Sequence, residues 1–222
     1  DKLILKNENI FFSNDEFIKD IKCSHNQVEV ITESSKSFFA KLLIMADGQG
    51  SIIKRYGHFQ FINHNFDQTA LSLTAKINRK YQNIAYQYFT PDGPLALFPY
   101  SSINSSIVWS LKKDSNILKL DENKLQAEIN NMLGSVVNDF EIINLQKFNL
   151  TFSFAKKLFS ERIAIIGDTA HSIHPIAGQG LNLIIKDIVC LTKQIVKYKS
   201  LGYDLGDGTA LNEYDNLRKS DN

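Results

Sequence analysis

The chain has little cysteine, proline or tryptophan, and it has no long apolar run. Among 222 residues there are two cysteines, four prolines and one tryptophan. Cys23 and Cys190 lie far apart and match no metal-binding or redox spacing, so a disulfide framework is excluded and a reducing compartment is favoured. Because no apolar run reaches the length of a membrane span and no signal segment opens the chain, we expect a cytoplasmic protein, with contact at a membrane surface left open.

An excess of charge of one sign is also lacking. Lysine and arginine together number 25 against 24 acidic residues, so the net charge is +1 and we expect no nucleic-acid partner. With 43% hydrophobic residues and a mean hydropathy of -0.19, the composition is that of an ordinary globular protein. A chain of this length can bury one large core or two modest ones.

The most informative stretch begins with a short apolar run that ends in an acidic turn. The β-branched run from Ile163 to Ile166 predicts a buried strand. Gly167 and Asp168 break the run and place a carboxylate at the C-terminal end of that strand. Ligands of open α/β sheets bind at such strand ends.

A glycine-containing loop and the start of a helix follow. The loop contains Pro175, Gly178 and Gly180, and apolar residues at helical spacing from Leu181 onward predict a helix that begins near Gly180. A helix N-terminus attracts negative charge, and glycines allow close approach of a ligand to the backbone. This pattern favours a ligand site, whereas the alternative is an ordinary strand–loop–helix connection.

A second acidic turn follows an earlier apolar run. Phe38 to Met45 predicts a strand, Asp47 and Gly48 follow it, and Ser51 can cap a short helix. Asp-Gly alone is a common turn dipeptide. Two strand-end carboxylates in one chain nevertheless favour a shared ligand site.

The remaining pattern predicts an α/β (α+β) fold with two domains. Short strands are expected at Ile10–Phe12 and in a hairpin formed by Phe17–Cys23 and Val28–Thr32. An antiparallel sheet and one helix, Asp121–Leu133, are expected between the two acidic turns. The expected sheet strands are Ala70–Ile77, Ile84–Phe89, Leu95–Tyr100, Ile107–Leu111 and Phe140–Leu150. We therefore predict one domain from residues 1–66 and 150–222, and an inserted antiparallel-sheet domain from residues 67–149.

The two acidic turns and the sheet occur in a distinctive order. That order is Ala46-Asp47-Gly48-x-x-Ser51, then the sheet, then Gly167-Asp168-x-Ala170-His171-x-x-His174-Pro175-x-x-Gly178-Gln179-Gly180-x-Asn182. It resembles class A flavoprotein monooxygenases, and within them most the ubiquinone-biosynthesis hydroxylases, which act on polyprenylated phenols. Thr90–Pro99 and Ser106–Ser110 are similar to substrate-domain strands of that subgroup. The resemblance covers nearly the whole chain.

The resemblance implies a partial Rossmann-like FAD-binding domain. Asp168 would accept a hydrogen bond from a ribityl hydroxyl, and Asp47 would help to hold the cofactor and to recognise the dihydronicotinamide. Backbone N–H groups near Gly180 would face the flavin's pyrimidine edge. The cofactor-binding residues implied by the resemblance are Asp47, Gly48, Gly167, Asp168, Pro175, Gly178, Gln179, Gly180, Leu181 and Asn182.

The implied reaction is FAD- and NAD(P)H-dependent hydroxylation of a polyprenylated phenol by O₂ in ubiquinone biosynthesis. The flavin carries the chemistry, so no catalytic side chain is assigned. Phe98 and Pro99 are candidates for the substrate pocket wall, and the alternative is that Phe98 belongs to the core. Association with the inner membrane or with a biosynthetic complex is left open, and so is the oligomeric state.

The pair His171 and His174 could suggest a metal site. No third ligand lies nearby and the loop is not helical, so we expect no metal. We expect His171 instead to form hydrogen bonds within its loop.

The chain departs from the family pattern in three places. It has no Gly-x-Gly-x-x-Gly turn for the FAD pyrophosphate, so it is expected to begin inside the cofactor domain and to need the preceding segment for activity. Lys54 stands where arginine is usual, and Ile184 occupies a position that is usually small. Two alternatives therefore remain: a truncated, FAD-free chain with a scaffold or partner role, and a non-hydroxylating prenyl-lipid reductase of the same fold.

Overall fold

The computed structural model describes residues 6–77, 84–133, 140–173 and 179–219. These residues form a mixed α/β fold with two compact units. The first unit is drawn from residues 1–63 and 152–222, and the second from residues 64–151. The second unit is therefore inserted in the chain between the two halves of the first.

Twelve strands and three α-helices are found in the described residues. In chain order the strands are β1 (Ile18–Cys23), β2 (Val28–Thr32), β3 (Ser37–Ala40), β4 (Leu43–Met45), β5 (Phe61–Ile77), β6 (Tyr86–Thr90), β7 (Gly93–Pro99), β8 (Asn104–Lys112), β9 (Phe140–Ala155), β10 (Phe159–Ser160), β11 (Ile163–Ile165) and β12 (His171–Ser172). The α-helices are α1 (Glu122–Leu133), α2 (Gln179–Ser200) and α3 (Thr209–Lys219). Short 3-10 turns occupy Ile52–Arg55, Asn116–Lys119 and Gly167–Thr169.

The first unit contains two three-stranded sheets. The antiparallel sheet has the order β1-β2-β3, which confirms the predicted hairpin, and the other sheet has the order β10-β11-β4. β11 runs parallel to β4, with Ile163 opposite Leu43 and Ile165 opposite Met45. All three residues of β11 are buried, as expected for a strand at the centre of a sheet.

Two details of the first unit differ from the prediction. Phe38–Met45 is not one strand, because β3 pairs with β2 whereas β4 pairs with β11, so the chain changes sheets near Lys41. Ile10–Phe12 forms no strand in the described residues; Phe11 and Phe12 are exposed instead of packed in a sheet.

The Arg162 side chain fastens several loops of the first unit together. It is 1% exposed and donates hydrogen bonds to the carbonyl oxygens of Ser24 (3.0 Å) and Lys41 (2.9 Å). It also forms an ion pair with Asp204 (2.6 Å), and this hydrogen-bonded guanidinium lowers the pKa of Asp204 to about 2. The loop that contains Gly206 passes so close to Arg162 that a Cβ on Gly206 would lie 2.2 Å from the guanidinium.

The second unit is an antiparallel sheet covered by one helix. Its strand order is β9-β5-β8-β7-β6, which confirms the predicted antiparallel sheet. The core contains Trp109 from β8 together with Leu125, Ile129 and Leu133, which recur every four residues along α1. Asp121 caps α1 by accepting a hydrogen bond from the Lys124 N–H (2.9 Å). α1 ends at Leu133, as the sequence predicts, and Gly134, which follows it, lies outside the described residues.

The apolar residues that predicted the helix α2 lie on both its buried and its exposed sides. Leu191 is buried, and Ile184 is half-buried. Leu181, Ile185 and Ile188 are exposed because α2 turns a different face, which includes Asp187, toward the protein. None of the helices in the described part of the chain is long and apolar enough to cross a membrane.

Candidate functional site

The two acidic turns lie side by side at the ends of two parallel strands. β4 leads into Asp47 and Gly48, and its neighbour β11 leads into Gly167 and Asp168. Both carboxylates are exposed, so they can accept hydrogen bonds from a ligand. The structure thus brings together four of the residues predicted to bind a cofactor, all within the first unit.

A buried hydroxyl, that of Thr169, connects the two turns. Its Oγ1 accepts a hydrogen bond from the Gly48 N–H (2.9 Å) and lies 3.1 Å from Oδ1 of Asp47. The carbonyl oxygen of Gly48 is a second acceptor, at 3.3 Å. Thr169 is completely buried. It therefore fixes the position of the first turn relative to the second.

We expect Thr169→Val to loosen this connection. The substitution keeps the shape of the side chain but leaves the Gly48 N–H without its acceptor, which should lower the free energy of unfolding by about 1–3 kcal/mol. Thr169→Ser retains the hydroxyl and should lose less. Urea unfolding of the three proteins, followed by circular dichroism, measures the difference, and equal stabilities for the valine and serine variants would contradict the role of the hydroxyl.

Lys54 supplies positive charge beside the two turns. Burial lowers the pKa of its ammonium group, and the negative charges of Asp168 and Asp47 act in the opposite direction. Lys54, which stands where arginine is usual in the family pattern, thus interacts electrostatically with both carboxylates. It comes from the 3-10 turn Ile52–Arg55, which Ser51 caps through the Ile53 N–H (3.2 Å), as the sequence predicted.

Gly167 is held close to α2. Its φ is +62°, and a Cβ at this position would lie 3.3 Å from Cγ1 of Ile184. The larger side chain at position 184 therefore packs directly against the turn that holds Asp168.

The buried carboxylate of Asp187 on α2 binds the turn that contains Gly167 and Asp168. Asp187 accepts hydrogen bonds from the Gly167 N–H (2.9 Å), from His171 Nε2 (2.7 Å) and from Arg218 Nε on α3 (2.7 Å). Burial by itself would raise the pKa of Asp187, but these three hydrogen bonds lower it below its ordinary value. The prediction that His171 bonds within its own loop is wrong, since its partner lies on α2.

The helix predicted to face the flavin begins where expected. α2 starts at Gln179, so Gly180, Leu181 and Asn182 lie in its first turn. A Cβ on Gly180 would meet no atom of the described residues within 4 Å, and Leu181 is exposed. Pro175, Gly178 and His174 lie outside the described residues.

The substrate-pocket candidates belong to β7 in the second unit. Leu95 and Leu97 are buried, whereas Phe98 is 44% exposed on the opposite face of the strand, and Pro99 is half-buried. The alternative that Phe98 is a core residue is therefore wrong.

The residues that sequence reasoning missed are Thr169, Asp187 and Arg218. Asp187 carried a signal, because it is a single acidic residue within the apolar pattern of α2. A charge in such a position needs a buried partner. Nothing in the sequence identified that partner as Arg218.

Paired strand-end carboxylates, a helix N-terminus beside them and an antiparallel sheet inserted in the chain characterise this protein of the mixed α/β class. The profile of the family described as FAD binding domain matches residues 17–218. The chain belongs to this FAD-binding domain family.

Three relatives carry the names of ubiquinone hydroxylases or of a ubiquinone biosynthesis monooxygenase. The ubiquinone hydroxylase UbiL of Rhodospirillum rubrum is 32% identical over 82% of this chain and 43% of its own length. The ubiquinone biosynthesis monooxygenase COQ6 of Xenopus tropicalis is 29% identical, over 88% of this chain and 50% of its own. The ubiquinone hydroxylase UbiM of Neisseria meningitidis is 28% identical, over 94% and 46%. The chain thus spans about half the length of these curated relatives.

Solved structures show the same fold. The p-nitrophenol 4-monooxygenase PnpA of Pseudomonas putida matches with a TM-score of 0.74 and 15% identity, over 93% of this chain and 53% of its own length. The flavin-dependent halogenase CmlS matches with a TM-score of 0.72 and 16% identity over 92% of this chain and 40% of its own.

Proposed function

We propose that this chain binds FAD and forms part of a hydroxylase of ubiquinone biosynthesis. The observation that carries the proposal is the connection of the Asp47 and Asp168 turns by Thr169, at the ends of two parallel strands. Membership of the FAD-binding domain family and the names of the relatives support it. The proposed substrates are a polyprenylated phenol and O₂, with NAD(P)H as co-substrate.

The side chains and backbone present at the site fit the chemistry of FAD. Asp168 can accept a hydrogen bond from a sugar-alcohol hydroxyl because its carboxylate is exposed. The N-terminal turn of the 22-residue helix α2 can stabilise negative charge on a flavin ring. We therefore propose that Asp47, Gly48, Gly167 and Asp168, with the first turn of α2, hold the riboflavin portion of the cofactor.

Bound FAD would supply the redox chemistry, and the chain would orient the groups around it. Lys54, beside both carboxylates, would keep excess negative charge from accumulating at the cofactor site. Phe98 and Pro99 would provide apolar surface to a phenol ring. Because the proposed substrate carries a prenyl tail, we also propose that the protein acts at a membrane surface.

We expect Asp168→Ala to weaken FAD binding by a factor of about ten to a hundred. A hydrogen bond to a charged group contributes roughly 1.5–3 kcal/mol, and each 1.4 kcal/mol is a tenfold change in affinity. Titration of FAD against the purified chain, followed by flavin fluorescence, measures the loss. Glu33→Ala removes another exposed carboxylate of the same unit and should bind FAD like the parent chain.

The absence of FAD binding to the parent chain, or equal affinity of both variants, would contradict the assignment of the site. The reaction is tested separately in the presence of FAD. NAD(P)H oxidation that a prenylated phenol stimulates, with an oxygenated phenol as product, supports the hydroxylase. NAD(P)H oxidation that reduces a prenyl lipid, without oxygen incorporation, would instead support the reductase alternative.

A further inference from the structure

The end of β11, which leads into the Asp168 turn, is held by helices as well as by neighbouring strands. β10 pairs with the first two residues of β11, and the Ile165 N–H donates a hydrogen bond to the carbonyl oxygen of Leu158 (2.9 Å). The next two backbone groups of interest are the Ile165 carbonyl and the Gly167 N–H, and both residues are buried. Buried backbone groups need hydrogen-bond partners. Here the partners are side chains that α3 either provides or holds in place.

Tyr214 of α3 provides the partner of the Ile165 carbonyl. Its hydroxyl donates a hydrogen bond to that oxygen over 3.1 Å, between residues 49 apart in the chain. The Tyr214 side chain is completely buried, and this burial raises the pKa of its hydroxyl, so the group remains a proton donor at ordinary pH. The contact therefore fixes the last peptide group of β11 to α3.

Arg218 of α3 acts on the Gly167 N–H through the carboxylate of Asp187. Arg218 Nε donates to Oδ1 of Asp187 (2.7 Å), while Oδ2 of the same carboxylate accepts from the Gly167 N–H (2.9 Å). The two charged side chains are 1% and 0% exposed, so the guanidinium both balances the charge of the carboxylate and fixes its orientation. Because Tyr214 and Arg218 are four residues apart, they lie on one face of α3.

We propose that Tyr214 and Arg218 are positioning residues of the candidate cofactor site, through which α3 sets the backbone geometry of the Asp168 turn. The two groups that they fix lie on either side of Ile166 and directly precede Asp168. Gly167 has φ of +62°, and glycine adopts positive and negative φ about equally readily, so contacts from outside must select one conformation. Where the inference concerns FAD it rests on the proposed function, whereas the effect of α3 on the turn does not.

Hydrogen exchange of single backbone amides in the full 222-residue chain, followed by NMR, tests the positioning without any cofactor. Tyr214→Phe removes the hydroxyl and keeps the ring. We expect the Gly167 amide to exchange about ten times faster in this variant, which is the factor that the loss of one ordinary hydrogen bond produces in a local opening equilibrium. The Val30 amide, in the central strand of the β1-β2-β3 sheet of the same unit, should keep its rate. Arg218→Lys keeps the charge but not the planar guanidinium, and it should show the same selectivity.

Tyr198→Phe is the matched control. The Tyr198 hydroxyl also joins α2 to α3, by donating to Glu213 (2.5 Å), but it lies near the C-terminal end of α2. This variant makes the same chemical change between the same two helices and should leave the exchange of the Gly167 amide unchanged.

A double-mutant cycle with Asp168→Ala measures the consequence for the cofactor. Tyr214→Phe should lower the affinity of the chain for FAD about tenfold, and by much less when Asp168→Ala is already present, because the hydroxyl acts on the cofactor through that carboxylate. Flavin fluorescence titrations of the four proteins give the affinities.

Two exchange results would overturn the proposal. They are an unchanged rate at Gly167 in Tyr214→Phe, and an equal acceleration at Gly167 and Val30, since the latter reflects a general loss of stability. An equal loss of FAD affinity with and without Asp168 would show that Tyr214 does not act through this carboxylate, and the positioning role would be wrong. If the parent chain binds no FAD, the proposed function is wrong, and the exchange rates alone decide whether α3 sets the turn.

Discussion

Asp187→Asn should lower the free energy of unfolding by about 3–5 kcal/mol. The substitution preserves the shape of the side chain but removes the charge that faces Arg218, which is 1% exposed and cannot regain water without local unfolding. It also weakens the hydrogen bonds that hold the Gly167 N–H and His171. Since whole domains are stable by only about 5–15 kcal/mol, this loss should be evident in urea unfolding.

The pH dependence should change in the same variant. The folded-state pKa of Asp187 lies below its ordinary value of 3.8, so its contribution to stability is complete above that value and is lost as the pH falls toward the folded-state pKa. In Asp187→Asn this acid-dependent part should disappear. Stability measured at intervals between neutral and acidic pH shows whether it does.

The matched control is Glu213→Gln. Glu213 pairs with Lys197 at 2.9 Å, but both side chains are partly in water, so this variant should lose no more than about 1 kcal/mol. Similar losses in Asp187→Asn and Glu213→Gln would show that the buried cluster contributes no more than a surface ion pair.

Gly93→Ala should destabilise the second unit by about 2–6 kcal/mol. Gly93 begins β7 with φ of +138°, and a Cβ there would lie 1.9 Å from the carbonyl oxygen of Ser110 on β8. Backbone strain contributes roughly 1–3 kcal/mol and forced movement of the neighbouring strand a further 1–3 kcal/mol. The Gly93 carbonyl oxygen also accepts a hydrogen bond from Trp109 Nε1 (3.3 Å), so the strand cannot shift without disturbing the core.

The fluorescence of Trp109, the only tryptophan, reports directly on this change. Gly57→Ala is the control, because a Cβ at Gly57 would meet no atom within 4 Å. Its unfolding, followed by circular dichroism, should stay within about 1 kcal/mol of the parent chain. A Gly93→Ala variant as stable as Gly57→Ala would mean that β7 and β8 can separate freely at this point.

Local patterns predicted most of the fold and the position of the candidate site. The β1–β2 hairpin, the antiparallel sheet and the start of α2 follow from turn residues and apolar periodicity, which act over a few neighbouring residues. The prediction that Asp47 and Asp168 lie in one site depended only on their strands being neighbours in a sheet. The break within Phe38–Met45 could not be predicted, because apolar character does not specify which strand a segment joins.

Local turn residues and apolar periodicity could not predict the buried ion pairs. Asp187 and Arg218 are 31 residues apart, and their pairing depends on how α2 packs against α3. The composition is informative about these arginines. Lysine outnumbers arginine 21 to 4, yet two of the four arginines, Arg162 and Arg218, are almost completely buried. A planar guanidinium that donates in several directions suits such positions better than an ammonium group.

The hydroxyl of Thr169 has a consequence for the order of folding. It reaches across 121 residues of chain to Gly48, and closing a loop of that length costs conformational entropy before any contact is gained. Most of the intervening residues belong to the second unit, and β6, β7 and β8 are successive neighbours in its sheet, so that this part of the sheet can assemble from short-range contacts. Since β5 and β9 are adjacent within it, its assembly draws together the two chain segments that lead to the paired turns. We therefore expect that early folding of the inserted unit lowers the entropy cost of bringing the two acidic turns together.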